Sequence, residues 1–358
     1  MLEYGLLALA LAYHLWACWR ENQQSPPGKL IDVGGYRLHL YESGIAKAGQ
    51  PTIVFDPSLG GLEGYLLIDE IAKFARVCVY DRAGYGWSQH SPYPRTSGVI
   101  AQELDDLLTR ADIDPPYLLV GESFGSYNMR LYAHSFPEKV AGLVLTDGLH
   151  ESGMLRMPVS LRLLKAFFTS GFWMSTVGSS LGLVRVLNAV GVFQLLKPEL
   201  RQFSDIQRKS VFRSFCRPKH WITMSREIMD LHTSSLQLRD AEDLGTLPVV
   251  NVKAANFFKP SLISGILPLG AADRLRDRMH ADLMQLSEQC IQLQAHHSSH
   301  FVWVDEPDVI LKAIKICLVR STSPLRLHYP QILASFSLKP GKTDSPEIVC
   351  GDDSTSVD

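Results

Sequence analysis

The sequence is short of several things, and each shortage excludes a class. Net charge is nearly absent: 35 Lys and Arg against 37 Asp and Glu leave −2 at pH 7. Such a chain has no global field for holding nucleic acid. Cysteine is scarce, with six residues at positions 18, 78, 216, 290, 317 and 350. They are too few and too scattered for a disulfide scaffold or a zinc module. Long apolar runs are also missing except for one near the start, which excludes a polytopic membrane protein. There is no internal repeat. What is there is a 46 % apolar, 20 % charged chain, a composition that excludes disorder throughout. Its 358 residues fit one large domain or two ordinary ones, at roughly 100–200 residues each.

The two ends differ from the middle. Residues 4–19, YGLLALALAYHLWACW, carry no charge unless His14 is protonated. As a helix they would reach about 24 Å, just short of a hydrocarbon core of roughly 30 Å. Trp16 and Trp19 suit an interface, and Arg20 can snorkel. A cleaved signal peptide would want basic residues before the apolar run, where this chain has Glu3. A lipoprotein site at Leu15-Trp16-Ala17-Cys18 fits poorly because of Trp16. The reading preferred is an uncleaved membrane anchor over residues 1–26 with its linker. The alternative is an amphipathic helix packed on the domain. Gln23 to Gly28 then read as linker. Beyond 318 the chain turns rich in Ser, Pro and Asp, so 319–358 is expected to be a poorly ordered tail.

From residue 30 onward, short apolar runs alternate with helix-length segments. LIDVGGYRLHLY (30–41) suggests a hairpin turning at Gly34-Gly35. PTIVFD, RVCVYD, YLLVG, VAGLVLTD, LPVVNVKA and IQLQA follow as strands. Continuous apolar strands separated by helices predict an α/β fold, a mostly parallel sheet with both faces covered. Ligands of such sheets bind at the carboxyl ends of the strands. Residues 151–239 interrupt the alternation with helical, basic and apolar sequence such as LRLLKAFF. They read as a helical lid, or as an ordinary helical subdomain with a solvated basic face. A lid of this composition also suits anionic lipid. The core is then expected in two parts, 27–150 and 240–318.

One motif carries chemistry. YLLV runs into Gly121-Glu122-Ser123-Phe124-Gly125, and a helix-like segment ends before Pro137. Strand, G-x-S-x-G, helix is the arrangement of a nucleophile elbow. Side chains two positions either side of the serine would clash in so tight a turn, and Gly121 and Gly125 remove them. The Ser123 hydroxyl is then presented above the sheet edge, at the start of a helix whose N–H groups face a reacting carbonyl.

Residues 27–318 resemble the α/β-hydrolase superfamily. The match rests on four motifs in order: Pro26-Pro27-Gly28 with Gly35-Tyr36-Arg37-Leu38-His39, the run Tyr80 to Ser88 (YDRAGYGWS), the GESFG elbow, and Ser299-His300-Phe301 before Asp305-Glu306-Pro307. The resemblance implies the α/β-hydrolase fold with a lid insertion, and His300 as base. His296 and His297, beside it, have no carboxylate or Cys partner at metal-ligand spacing, so no metal is expected. His150 is a rival base. The acid has two candidates. After the strand ending near Ala254, where the family more often keeps it, there is none until Asp273. Asp147 directly ends the preceding strand, GLVLT, and is preferred; its structural reading is a cap on the turn into the lid. The resemblance implies an oxyanion hole from the Phe124 and Leu59 N–H groups, although Pro57-Ser58 stand where relatives often have His-Gly. It implies acyl transfer to water without a cofactor, and argues against the dehalogenase and epoxide-hydrolase branches, whose nucleophile is Asp. The apolar lid favours a small-molecule carboxylic ester with an apolar part. Thioester, amide or C–C bond hydrolysis, transfer to an alcohol, and a non-catalytic binding protein stay open. Membrane contact is expected through residues 4–19 and the basic lid.

Overall fold

A computed structural model describes residues 2–61, 64–196, 201, 205–241, 243–257, 269–322 and 348–350. The central sheet has strands β1 (Lys29–Asp32), β2 (Arg37–Ser43), β3 (Thr52–Asp56), β4 (Val77–Asp81), β5 (Tyr117–Glu122), β6 (Val140–Thr146), β7 (Val249–Ala254), β8 (Cys290–Ala295) and β9 (Ile348–Cys350), in the spatial order β1-β2-β4-β3-β5-β6-β7-β8-β9. The six strands from β3 to β8 are parallel, while β1, β2 and β9 pair antiparallel at the edges. The expected hairpin forms with Gly34 and Gly35 in its turn, both at positive φ.

Helices follow the chain as α1 (Leu2–Asn22), α2 (Gly64–Ala72), α3 (Ser97–Arg110), α4 (Phe124–Ser135), α5 (Glu151–Leu155), α6 (Val159–Ser180), α7 (Leu183–Ala189), α8 (Val192–Leu196), α9 (Asp205–Phe215), α10 (Pro218–Gln237), α11 (Leu269–Leu283), α12 (Val302–Asp305) and α13 (Pro307–Thr322). The strands β3 to β6 are mostly apolar on both sides because both faces of the sheet are covered. Ile53, Phe55, Leu118 and Val120 join a core with α2 and α13. Their neighbours Val54, Tyr117 and Leu119 point the other way, into a core with α3, α4 and the end of α11. The period of two puts alternate residues on opposite faces.

Residues 151–239 hold α5 to α10, and among the described residues no strand. The long helix α10 lies on the loops at the carboxyl end of the sheet. Its Met224 occupies the space a side chain on Gly60 would need, and Thr223 does the same at Gly84. Buried charge fixes this contact. Arg82, at the end of β4, donates from Nε and Nη2 to Glu227 of α10 at 2.8 and 3.0 Å, and from Nη1 to Asp56 at 2.8 Å. Tyr85 adds its hydroxyl to Glu227 at 2.7 Å. A second buried pair, Arg130 with Glu151, ties α4 to α5.

Two expectations for the chain ends change. The anchor expected over residues 4–19 forms a helix, but it does not meet the requirement for a membrane-spanning one. None of the helices among the described residues is long and apolar enough to cross a membrane. The physical reason is visible in α1, where His14 interrupts the apolar run and Arg20 and Glu21 close it. The helix instead packs on the lid, with Arg185 of α7 paired to Glu21 at 2.5 Å. At the other end, α13 continues to Thr322, and residues 348–350 return as β9 beside β8. The rest of the expected tail lies outside the described residues.

The Arg82 cluster predicts a stability effect. Replacing Arg82 with Ala leaves Asp56 and Glu227 buried and short of their cation. Urea titration is expected to show a loss of about 3–5 kcal/mol.

Candidate active site

The site is assembled at the carboxyl ends of four parallel strands. Ser123 follows β5 at φ 49° and ψ −111°, a conformation rare for a residue with a side chain. Two close approaches impose it. A Cβ on Gly121 would meet the Gly125 carbonyl oxygen at 2.7 Å, and a Cβ on Gly125 would meet the Asp56 carbonyl oxygen at 2.2 Å. The bare backbone at 121 and 125 therefore lets the start of α4 seat against the end of β3. This strain, of order 1–3 kcal/mol, projects the serine side chain away from the sheet.

The structure brings Ser123, His300 and Asp147 into one hydrogen-bonded chain. Ser123 Oγ lies 2.9 Å from His300 Nε2, and His300 Nδ1 lies 2.6 Å from Asp147 Oδ2. The imidazole stacks on Phe257, with centroids 4.9 Å apart, and its backbone N–H donates to the Phe257 carbonyl. Asp147 also sits at positive φ, 40°, and its own N–H donates to Val252 of β7. Its second oxygen, Oδ1, accepts from the Ala254 N–H and faces His280 Nε2, each at 3.1 Å. Burial opposes charge on Asp147, but hydrogen bonds from His280 and His300 outweigh it. The carboxyl is held well below the ordinary carboxylate range.

The other candidates sit elsewhere. Asp273 accepts from the Phe257 N–H at 2.8 Å and lies near Arg276, its neighbour on α11. It braces the loop after β7 and makes no contact with His300 among the described residues. His150 caps α5 by accepting from the Ser152 N–H, and burial pushes its imidazole down to about 4. His296 and His297 are exposed at the end of β8. Among the described residues no group of three or more His, Cys, Asp or Glu is arranged to hold a metal ion.

The proposed oxyanion donors lie on adjoining segments. Phe124 opens α4, so its N–H belongs to the first turn, which has no intrahelical acceptor. Leu59 lies in the loop after β3, which the Gly125 contact brings against that turn. Arg82 holds this loop by donating to the carbonyls of Pro57 and Ser58 at 2.7 and 2.9 Å. Leu59, Leu149 and Met154 pack around Phe124 and give the surroundings an apolar wall.

Sequence reasoning missed His280 and Arg276. Both lie on α11 and are almost fully buried beneath Asp147. Asn251 of β7 holds His280 Nδ1 at 2.9 Å, and burial pushes the His280 imidazole down, with Asp147 partly opposing. Arg276 donates to the Ala255 carbonyl and comes within 3.7 Å of Asp147. The available signal was the i, i+4 spacing of Arg276 and His280 on one helix face, which acquires meaning only once α11 is packed on β7.

Residues 51–168 match the family model described as the alpha/beta hydrolase fold. A protein named "Probable transporter efuK" from Hormonema carpetanum is 27 % identical over 314 residues, covering 82 % of this chain and 43 % of that protein. The 2-hydroxy-6-oxo-2,4-heptadienoate hydrolase of Pseudomonas putida is 30 % identical over 149 residues, 36 % of this chain and 50 % of the relative. The crystal structure of Cfl2 from Burkholderia cenocepacia superposes with a TM-score of 0.59 at 22 % identity, covering 81 % of this chain and 95 % of that one. The chain spans less than half the length of the first curated relatives it matches.

The elbow contacts predict a contrast between two glycines. Gly125→Ala forces a side chain into the Asp56 carbonyl and should cost at least about 1–3 kcal/mol in chemical denaturation. Gly171→Ala, in α6 with nothing within 4 Å of the new Cβ, should stabilise by roughly 0.5–1 kcal/mol.

Proposed function

Because the chain belongs to the α/β-hydrolase superfamily, we propose that it is a serine hydrolase that cleaves a carboxylic ester with an apolar part through an acyl-enzyme. The observation that carries this reading is the unbroken chain Ser123–His300–Asp147, with the serine on a strained elbow.

Serine is a weak nucleophile at its free pKa and needs an adjacent base. In the proposed reaction His300 Nε2 accepts the Ser123 proton as Oγ attacks the ester carbonyl. Asp147 fixes the tautomer with Nδ1–H and stabilises the imidazolium. The Phe124 and Leu59 N–H groups hold the oxyanion, where removing one donor typically costs about 3–4 kcal/mol of transition-state stabilisation. The imidazolium then gives its proton to the leaving alkoxide. Water, deprotonated by the same histidine, attacks the acyl carbonyl; the acyl C–Oγ bond then breaks, the imidazolium returns the proton to Ser123 Oγ, and the acid leaves. The sequence needs neither metal nor organic cofactor. Asp147 is held well below the ordinary carboxylate range, so it stays ionised and available to orient the histidine.

An apolar acyl or alcohol part is supported by the packing beside the nucleophile, where Leu59, Phe124, Leu149 and Met154 cluster. A relative named as a hydrolase, matching part of the chain, supports hydrolysis without choosing the bond.

A fluorophosphonate probe is expected to label Ser123 in the folded protein, and the label should vanish in Ser123→Ala. Ester turnover across a series of rising chain length should peak above the shortest acyl groups. Asp147→Asn should lower kcat by about 10⁴ by disturbing the histidine tautomer, whereas Asp273→Asn should stay within about tenfold of the parent. An unlabelled Ser123 would refute the enzyme. A collapse confined to Asp273→Asn would refute the assignment of the acid.

A further inference from the structure

The N-terminal helix is anchored to the lid on one side only. Ala17 and His14 are buried, and a Cβ on Gly182, at the turn between α6 and α7, would press on the Ala10 carbonyl and His14 at 2.6 Å. Arg185 reaches across to Glu21, and Arg217 donates to Glu21 and to the Cys18 carbonyl. The rest of the helix surface is apolar and exposed. Leu6, Leu9, Tyr13, Leu15, Trp16 and Trp19 are each 45–68 % accessible. The lid carries further exposed apolar side chains, Leu163, Phe167 and Met174 of α6, Leu187 of α7 and Val190 just past it. An apolar area this large on a folded chain marks something that covers it.

The order of residues along α1 says what covers it. Aliphatic residues come first, then Tyr13, Trp16 and Trp19, then Arg20, whose guanidinium lies 5.3 Å from the Trp16 ring centre. Past Asn22 the chain enters a cleft of about 860 Å³ between the β1–β2 hairpin, the loop after β4, and the lid. Arg37, His90, Arg213, Arg217 and Lys219 line it, and none of the described lining residues is acidic. Arg213 stacks over Trp87 at 3.5 Å, and among the described residues Nε of Arg213 and of Arg217 finds no hydrogen-bond partner. Glu21 takes part of the Arg217 charge and Lys219 is held by the Ser88 carbonyl at 2.8 Å, whereas Arg213 donates to the Gly86 carbonyl and, among the described residues, neither it nor Arg37 has a carboxylate at ion-pair distance. Burial pushes the Lys219 ammonium down to about 8, with Asp81 partly opposing and Arg213 and Arg217 adding to the shift.

Aliphatic, then aromatic, then cationic is the polarity profile of one leaflet from acyl chains to phosphates. We propose that the protein seats on an anionic phospholipid surface, with the open side of α1 and the apolar face of α6 and α7 in the interface and a lipid phosphate in the basic cleft. Such a helix enters one leaflet at a slant, aliphatic end deepest, and need not cross the bilayer. Lid and interface helix bind as one body because the Arg185–Glu21–Arg217 cluster joins them.

The test is flotation of the full chain with phosphatidylcholine vesicles, with and without phosphatidylglycerol. The readout is partition, so it stands or fails separately from ester turnover. Anionic vesicles are expected to bind at least about tenfold more tightly than neutral ones, with the difference shrinking as salt rises. Arg37→Gln combined with Lys219→Gln should lower the anionic partition about tenfold, while Trp16→Ala combined with Trp19→Ala should lower binding to both vesicle types. Circular dichroism and the thermal transition of each variant check that it folds. The proposal is overturned if the parent floats with neither vesicle, if it floats equally with both, or if the variants float like the parent. Binding of inorganic phosphate at the cleft without flotation would also overturn it, by making the cleft a site for a free anion.

Discussion

The organisation of this molecule hangs on one buried cation. All five N–H donors of the Arg82 guanidinium are engaged: Nε and one of Nη2 on Glu227, one of Nη1 on Asp56, and the remaining two on the carbonyls of Pro57 and Ser58. Asp56 in turn accepts from Asn128 of α4 at 2.7 Å. Four separate parts of the chain, the end of β3, the loop after it, the helix behind Ser123 and the lid, are therefore referenced to a single side chain. A planar, always-charged fork can do this where an ammonium cannot. Burial disfavours its charge, yet Glu227 and Asp56 more than offset that and keep it protonated.

A second constraint is steric and acts on Ser123. The serine can stand at positive φ only because nothing occupies the Cβ positions of Gly121 and Gly125. The same closeness that excludes those side chains brings the first turn of α4 to the loop that Arg82 holds. Electrostatics completes the arrangement from the opposite side. Asp147 has one oxygen for His300 and one for His280, so its carboxylate cannot rotate without losing a bond at either end. Asn251 fixes His280 and the Ala254 N–H fixes the carboxylate, which makes β7 the frame on which Asp147 is oriented.

How much of this was legible in the sequence follows from the range of each interaction. Strands buried on both faces announce themselves as continuous apolar runs, so β3 to β8 and their parallel pairing could be read directly. The elbow was legible because its constraint is local: five consecutive residues contain both glycines and the serine. Asp147 was legible by topology, since it ends a strand adjacent to that of Ser123. His280 was not, because its role depends on the docking of α11 against β7. Arg82 and Glu227 are separated by 145 residues, and no periodicity links them.

The N-terminal run shows a different limit. Counting apolar residues from 4 to 19 measures how much surface a helix would hide, but it does not say what hides it. The residues that break the tie are polar and individually unremarkable in sequence: His14, Glu21 and, far away, Arg185 and Arg217. Spaced at 14, 17–18 and 21, one narrow stripe of α1 meets the lid, and its charges are neutralised there. A helix whose buried stripe carries its polar groups and whose exposed sides carry its leucines and tryptophans has its polarity reversed relative to a helix on a water-soluble surface. That reversal makes α1 an adapter between a folded lid and an apolar environment, and its charge cluster decides that lid and helix move together.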